Sequence, residues 1–271
     1  MTGRLLILGC GYTGSAVARR VLAAGPVQGQ RVIATVRSEE SASPLRAEFP
    51  APRFTLLVAP TLDAGIGEHV TPDTHVVIAF PPDGATDARI APALAAARAI
   101  TYVSSTGVYG GRTGKIDADT PLPDPPSARS LRILDAERAY RAVGASVLRC
   151  PGIYGAKRGL HMRILRGEHR IPGDGSRTLS RIHVEDLASF ILAAGSTRGE
   201  TYVIGDREPA RHIDVVRWVC EEYGVPLPGS VPWEEVHETL RADRCVDASF
   251  AIEKLGVELL FPTYREGMKR D

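Results

Sequence analysis

LILGCGYTGSAVA, residues 6–18, passes from an apolar run to an alanine-rich one through three glycines. Gly9, Gly11 and Gly14 keep the G-x-G-x-x-G spacing, and they stand where a strand, RLLIL (4–8), turns into a helix over 14–25. Val17, Val21 and Leu22 share one face of that helix, and Gly25-Pro26 ends it. A glycine triplet alone is weak evidence, but at a strand-to-helix turn it reads as a dinucleotide fingerprint. Gly9 permits the tight turn, Gly11 lets a pyrophosphate approach the backbone beside Tyr12 and Thr13, and Gly14 lets the helix pack closely. The phosphates then face the free N–H groups and positive dipole of the helix N-terminus.

The rest of the first half repeats the pattern. RVIATV (31–36), FTLLV (54–58), THVVIAF (74–80), ITYVS (100–104) and ASVLRC (145–150) read as strands. Helices are expected over Ser43 to Phe49, around Ala91 to Ala99 and over 131–144. Apolar strands alternating with helices imply a parallel sheet covered on both faces, a doubly wound α/β (Rossmann) fold. From Pro151 the regularity breaks, so residues 1–150 are expected to form the dinucleotide-binding domain and 151–271 a smaller α+β substrate lobe, with segments exchanged between the two.

The second strand ends in Thr35, Val36, Arg37 and Ser38, not in the Asp or Glu that binds the ribose 2′-OH of NAD. Arg37 would neutralise a 2′-phosphate, which points to NADP before NAD; the alternative is a solvated arginine with Glu39 or Glu40 reaching the ribose. Phe80 and Pro81 follow the fourth strand, where backbone lines the cofactor crevice, unless the prolines merely form a loop.

Over 271 residues the net charge is +1, with no long run of like charge, which argues against a dedicated nucleic-acid binder and for a small-molecule ligand. Cys10, Cys150, Cys220 and Cys245 form no Cys-x-x-Cys pair or zinc pattern and read as reduced packing residues; no metal site is assigned. No apolar stretch approaches the roughly 20 residues of a membrane span, so a soluble cytoplasmic protein is expected.

LILGCGYTG, YVSSTGVYG, LRCPGIYG and RIHVEDLA, in this order, resemble the extended short-chain dehydrogenase/reductase superfamily, the NAD-dependent epimerase/dehydratase group. The ending VDASFAIEKLGVELLFPTYREGM (246–268) resembles its atypical YeeZ-like branch. The resemblance implies an NAD(P)-binding oxidoreductase or epimerase. It makes Ser105 the catalytic serine, places Ser104, Pro151 and Ile153 at the cofactor, and gives His183 and Asp186 a structural role. It also implies a substrate-binding region over 157–188, often for a nucleotide sugar, with Tyr154, Arg163 and Arg166 as candidates; the alternative is a solvated basic face.

The family's proton-transfer pair, Tyr-x-x-x-Lys, is missing. If Glu137 matches the glutamate that follows that lysine, Ile133 stands in the lysine's place and Arg129 in the tyrosine's. Only four lysines occur, Lys115, Lys157, Lys254 and Lys269, and none lies between 115 and 157. Arg129 cannot act as a base but could bind an anion. Tyr109 is either a substitute acid/base or a packing residue. Thr106 and Gly107 replace the Asp-Glu pair of the 4,6-dehydratases, which argues against that chemistry. Two expectations remain: an NADP-preferring oxidoreductase or epimerase acting on a small anionic or sugar-like substrate, or a catalytically silent NADP-binding redox sensor or interaction module. A homodimer is compatible with either.

Overall fold

The computed structural model describes residues 3–23, 31–49, 51–235 and 243–270. Its centre is a seven-stranded sheet built from β1 (Arg4–Leu8), β2 (Arg31–Val36), β3 (Phe54–Val58), β4 (His75–Ile78), β5 (Ala99–Ser105), β6 (Ser146–Cys150) and β7 (Thr201–Val203). The spatial order is β7-β6-β5-β4-β1-β2-β3, and every neighbouring pair is parallel. The doubly wound fold is therefore present, and the strand order reverses between β1 and β4, where such sheets open a ligand crevice at the strands' carboxyl ends.

β1 shows why these strands lack the polar alternation of a half-exposed sheet. Leu5 and Ile7 point into one apolar layer, Leu6 and Leu8 into the other, and Leu6, Ile7 and Leu8 are wholly buried. The first layer lies under α1 (Tyr12–Ala23), α2 (Glu39–Glu48) and α6 (Val184–Ala194). The second lies under α3 (Thr86–Ile90) and α4 (Ala128–Arg141).

Capping side chains account for the helix boundaries that differ from the expected ones. Ser38 accepts from Ser41 N–H, so α2 starts at Glu39 instead of Ser43. Asp83 accepts from Ala85 and Thr86 N–H, so the helix expected around Ala91 to Ala99 begins at Thr86; it tightens to a 3₁₀ turn over Ala91–Leu94, and Ala99 is already in β5. Ser127 caps α4 three residues before its expected start. The Gly25-Pro26 stop lies outside the described residues.

Past Cys150 the chain both leaves the sheet and returns to it. A short parallel ladder joins Gly152–Tyr154 to Arg181–His183. α5 (Leu160–Leu165) and α7 (His212–Tyr223) share a separate apolar cluster with Tyr154, Tyr264 and Met268. α6 then packs beside α1, and β7 extends the main sheet. The tail is tied to α6 by Asp186, whose carboxylate accepts from Leu260 N–H at 2.7 Å and Phe261 N–H at 3.0 Å. No helix among the described residues is long and apolar enough to cross a membrane.

One buried polar cluster joins α4 to the sheet. Glu137, 3% exposed, accepts from Arg149 Nε at 3.0 Å and Nη2 at 2.8 Å, and from Ser104 Oγ at 2.6 Å. Arg149 Nη1 donates to the Tyr109 hydroxyl at 3.1 Å, and that hydroxyl donates to Asp117 O at 3.2 Å. Glu137→Ala strands a buried guanidinium and should cost about 3–5 kcal/mol, whereas Glu137→Leu combined with Arg149→Met should recover much of the loss. Urea unfolding of the three variants measures both; additive losses in the double variant would contradict the pairing.

Acid should also weaken the fold. Burial lowers the pKa values of His75, His183 and His212 from 6.5 to about 4, and that of His169 to about 3. Below about 6.5 the unfolded chain binds protons that these imidazoles refuse in the fold, so this stability is present above 6.5 and is lost as pH falls toward 4. Asp206 acts in the opposite sense: burial pushes it up to about 7 against the pull of Arg181, so its contribution is lost as pH rises toward 7. Burial also holds His161 down and Asp87 and Asp186 up, so five imidazoles oppose three carboxyls; the protein should melt at a lower temperature at pH 5 than at pH 7, and His75→Gln should narrow the gap. A melting temperature unchanged between the two would contradict this balance.

Candidate functional site

The parallel sheet places the C-terminal ends of β1, β2, β4, β5 and β6 on one edge, and most of the expected site residues follow those ends. At the first turn the three glycines differ in what a side chain would meet. Gly9 has φ +90°, and a Cβ there would lie 3.0 Å from Phe80 Cβ. A Cβ on Gly14 would lie 2.6 Å from Gly9 O and 2.9 Å from Ile7 Cγ2, so the helix can cross this closely only on glycine. A Cβ on Gly11 would meet nothing within 4 Å: the protein makes no contact there, and the space stands open beside the first turn of α1. The residues present thus fit a dinucleotide's pyrophosphate.

Thr35 fastens this turn to β2, a role with no signal in the glycine spacing. Its Oγ1 accepts from Gly9 N–H at 3.0 Å and its carbonyl from Cys10 N–H at 2.7 Å. Arg37 follows as an exposed side chain beyond β2. Phe80 is half-buried and Pro81 exposed past β4, while Pro151 and Ile153, past β6, are half-buried. Tyr12 reaches the segment past β6: a Cβ on Gly155 would lie 2.4 Å from its hydroxyl, and Arg158 sits over its ring at 4.9 Å. Thr13 is buried at 9% exposure.

β5 delivers two serines with opposite fates. Ser104 points into the protein and donates to Glu137. Ser105 is half-buried, and its Oγ accepts from Gly107 N–H at 3.0 Å, which caps the 3₁₀ turn Thr106–Tyr109. An oxygen that accepts from the backbone keeps its own proton for a second partner. Tyr109, by contrast, is wholly buried, its hydroxyl is held by Arg149 and Asp117 O, and burial raises its pKa. This removes Tyr109 from the catalytic candidates. Burial likewise pushes up the Cys150 thiol.

The side chains under the Ser105 turn bear on the missing pair. Ile133 Cδ1 would stand 3.2 Å from a Cβ on Gly107, so an apolar side chain packs directly beneath the turn. Lys115 is elsewhere, paired with Asp247 at 2.8 Å. Arg129 lies close enough to Arg244 to act on its charge, and Arg244 Nη1 donates to Thr106 O at 3.0 Å and Gly110 O at 2.9 Å. Arg244 arrives from the far end of the chain, which is why no local pattern announces it.

Tyr154, Arg163 and Arg166 come together around one cavity of about 330 Å³, with Lys157, Arg158, Arg181 and His212. Arg129 is not part of its lining. The cavity begins at Gly152 and Ile153, two residues past the end of β6, and so adjoins the crevice edge.

The model of a family described as NADP oxidoreductase, coenzyme F420-dependent, matches residues 4–98. The chain is 27% identical over 179 residues to 3-diazoavenalumate denitrifying reductase from Streptomyces sp, covering 58% of this chain and 59% of that protein. Among solved structures, a dTDP-glucose 4,6-dehydratase from Streptomyces venezuelae with NAD bound superposes at TM-score 0.81 with 20% identity, over 98% of this chain and 95% of that one, which shows the fold alone. A functionally unknown conserved protein from Silicibacter pomeroyi superposes at TM-score 0.82 with 31% identity, over 98% of this chain and 97% of that one. The chain therefore belongs to one family with the Silicibacter protein, and its fold is the NAD(P)-binding Rossmann fold of the epimerase/dehydratase neighbours.

Proposed function

We propose that the protein is an NADP-preferring oxidoreductase of the atypical extended short-chain type, reducing a small anionic substrate through Ser105 without a Tyr/Lys pair. The observation that carries the reading is the open space at Gly11 between two glycines that tolerate no side chain. The first-turn N–H groups of α1 would hold the pyrophosphate, and exposed Arg37 the adenosine 2′-phosphate. Bound there, the nicotinamide would supply or accept a hydride. The description of the family model that matches residues 4–98 names NADP, and its match includes both the turn and Arg37. The ending 246–268 favours the YeeZ-like branch.

Ser105 would donate its remaining hydrogen bond to the reacting group of the substrate and so stabilise charge that develops there. With Ile133 below it and Tyr109 committed elsewhere, neither of these positions supplies an ammonium or a free phenol to that serine. Chemistry at this site therefore relies on polarisation and on a proton from solvent or substrate. The Streptomyces relative is named as a reductase, which favours reduction over epimerisation. Ile133 in the lysine's place is the observation that supports the second reading, a silent NADP-binding sensor. In either case pairing of two copies across α4, where Leu131 is 43% exposed, is the arrangement to look for.

Oxidation of NADPH followed against a panel of carbonyl and phosphorylated substrates separates the two. The first reading expects turnover that falls about 10²-fold or more in Ser105→Ala, in line with loss of one charge-stabilising donor, with NADPH affinity unchanged. Tight NADPH binding with no turnover on any substrate would favour the sensor, and failure to bind any dinucleotide would end both.

A further inference from the structure

The cavity beside Tyr154 is lined by five cations, Lys157, Arg158, Arg163, Arg166 and Arg181, and by no carboxylate among its described residues. Four of them are exposed or reach in from the surface segment 157–166, as any solvated basic face would. Arg181 differs. It is 7% exposed, its guanidinium packs over the Tyr264 ring at 5.2 Å, and Nη1 has no hydrogen-bond partner.

Burial of an arginine is costly unless a hydrogen-bonded acid offsets it. Asp206 is the acid whose charge acts most strongly on Arg181. Yet one Asp206 oxygen accepts from Glu208 N–H at 3.2 Å and the other, Oδ2, has no partner, so the two groups do not close on each other. Arg181 lines the basic cavity, and its guanidinium keeps a buried donor without a protein acceptor, which calls for an acceptor from outside.

We infer that this cavity binds a compact phosphate monoester, with its phosphoryl group on Arg181 and with Arg163 and Arg166 closing over it. Five positive charges are poorly matched by a single carboxylate, whereas a phosphoryl dianion offers several acceptors to arginine forks. A nucleotide sugar, the ligand suggested by the wider superfamily, fits less well. The cavity of about 330 Å³ lies at the small end of the roughly 300–1,000 Å³ range of ligand sites. Its two ring-bearing lining residues, Tyr154 and His212, are each 3% exposed, with the Tyr154 hydroxyl donated to Thr263 O at 3.3 Å and His212 bonded to His169, so the described lining offers no open ring for a base to stack on. Arg163 stands three residues before Arg166, so both side chains reach the cavity from one side of the α5 turn.

Only the description of this ligand as substrate rests on the proposed oxidoreductase activity; its binding does not. The test is calorimetric titration of the full, cofactor-free chain with glycerol 3-phosphate, inorganic phosphate, acetate and UDP-glucose. Glycerol 3-phosphate and phosphate are expected to bind and acetate not to. Arg181→Met, which keeps the apolar stem, is expected to weaken phosphate binding about tenfold or more, the equivalent of one charge-assisted hydrogen bond. Its thermal melt should be no lower than that of the wild type, because the buried charge it removes lacks a hydrogen-bonded partner. Should Arg181→Met fail to fold, the exposed pair Arg163→Gln and Arg166→Gln decides, with a loss of about threefold or more each for exposed charge contacts. Phosphate affinity unchanged in every variant that folds, or UDP-glucose binding more tightly than glycerol 3-phosphate, would overturn the proposal. Phosphate binding that depends on Arg181 in a protein that fails to bind NADPH would sustain this site and end the oxidoreductase reading.

Discussion

A carboxylate and a guanidinium buried together, Glu137 with Arg149, hold the site's frame. Each offsets the cost of burying the other's charge, at 3% and 6% exposure. Their bidentate contact fixes α4 against β6; the third bond, from Ser104, reaches β5. Through Arg149 and Tyr109 the same cluster sets the 3₁₀ turn that begins at Ser105. The serine that faces the crevice is thus positioned by the serine beside it, which faces inward.

That frame leaves a division of labour along the sheet edge. At the first turn the protein withholds side chains around Gly11, and at the Ser105 turn Ile133 packs beneath Gly107 while Ser130 and Arg244 are spent on the turn's own carbonyls. The cavity past β6 concentrates positive charge because its walls come from 157–166 and Arg181, a stretch rich in arginine. In the proposed reading, a site of this kind would bind and polarise well and move protons poorly. Its chemistry would suit an acceptor that takes a hydride without a delivered proton.

The fold was legible in the sequence because both faces of the sheet are covered: apolar strands such as RLLIL and RVIATV, alternating with helices, have few other ways to bury themselves. The glycine turn was legible because Gly9 and Gly14 answer steric demands of the protein at a fixed spacing, with Gly11 left open between them. Helix starts were less readable, because Ser38, Asp83 and Ser127 set them through single hydrogen bonds outside the periodic pattern. Tyr109 stayed open between acid/base and packing roles because a motif shows a phenol's neighbours in sequence and not the Arg149 and Asp117 contacts that occupy it. Arg181 stood in the basic span 157–188 with nothing to single it out, and Asp206 and Arg244 carried no local signal. They acquire meaning only when distant segments meet: 181 with 206 and 264, and 244 with 106, 110 and 129.

A crystal structure of the protein with NADP tests the central claim most directly. The account predicts the pyrophosphate over Gly11 at the start of α1, the 2′-phosphate beside Arg37, and the nicotinamide next to Ser105, with no tyrosine or lysine reaching it. A dinucleotide bound away from the glycine turn, or a phenol or ammonium group swung in beside Ser105, would contradict it.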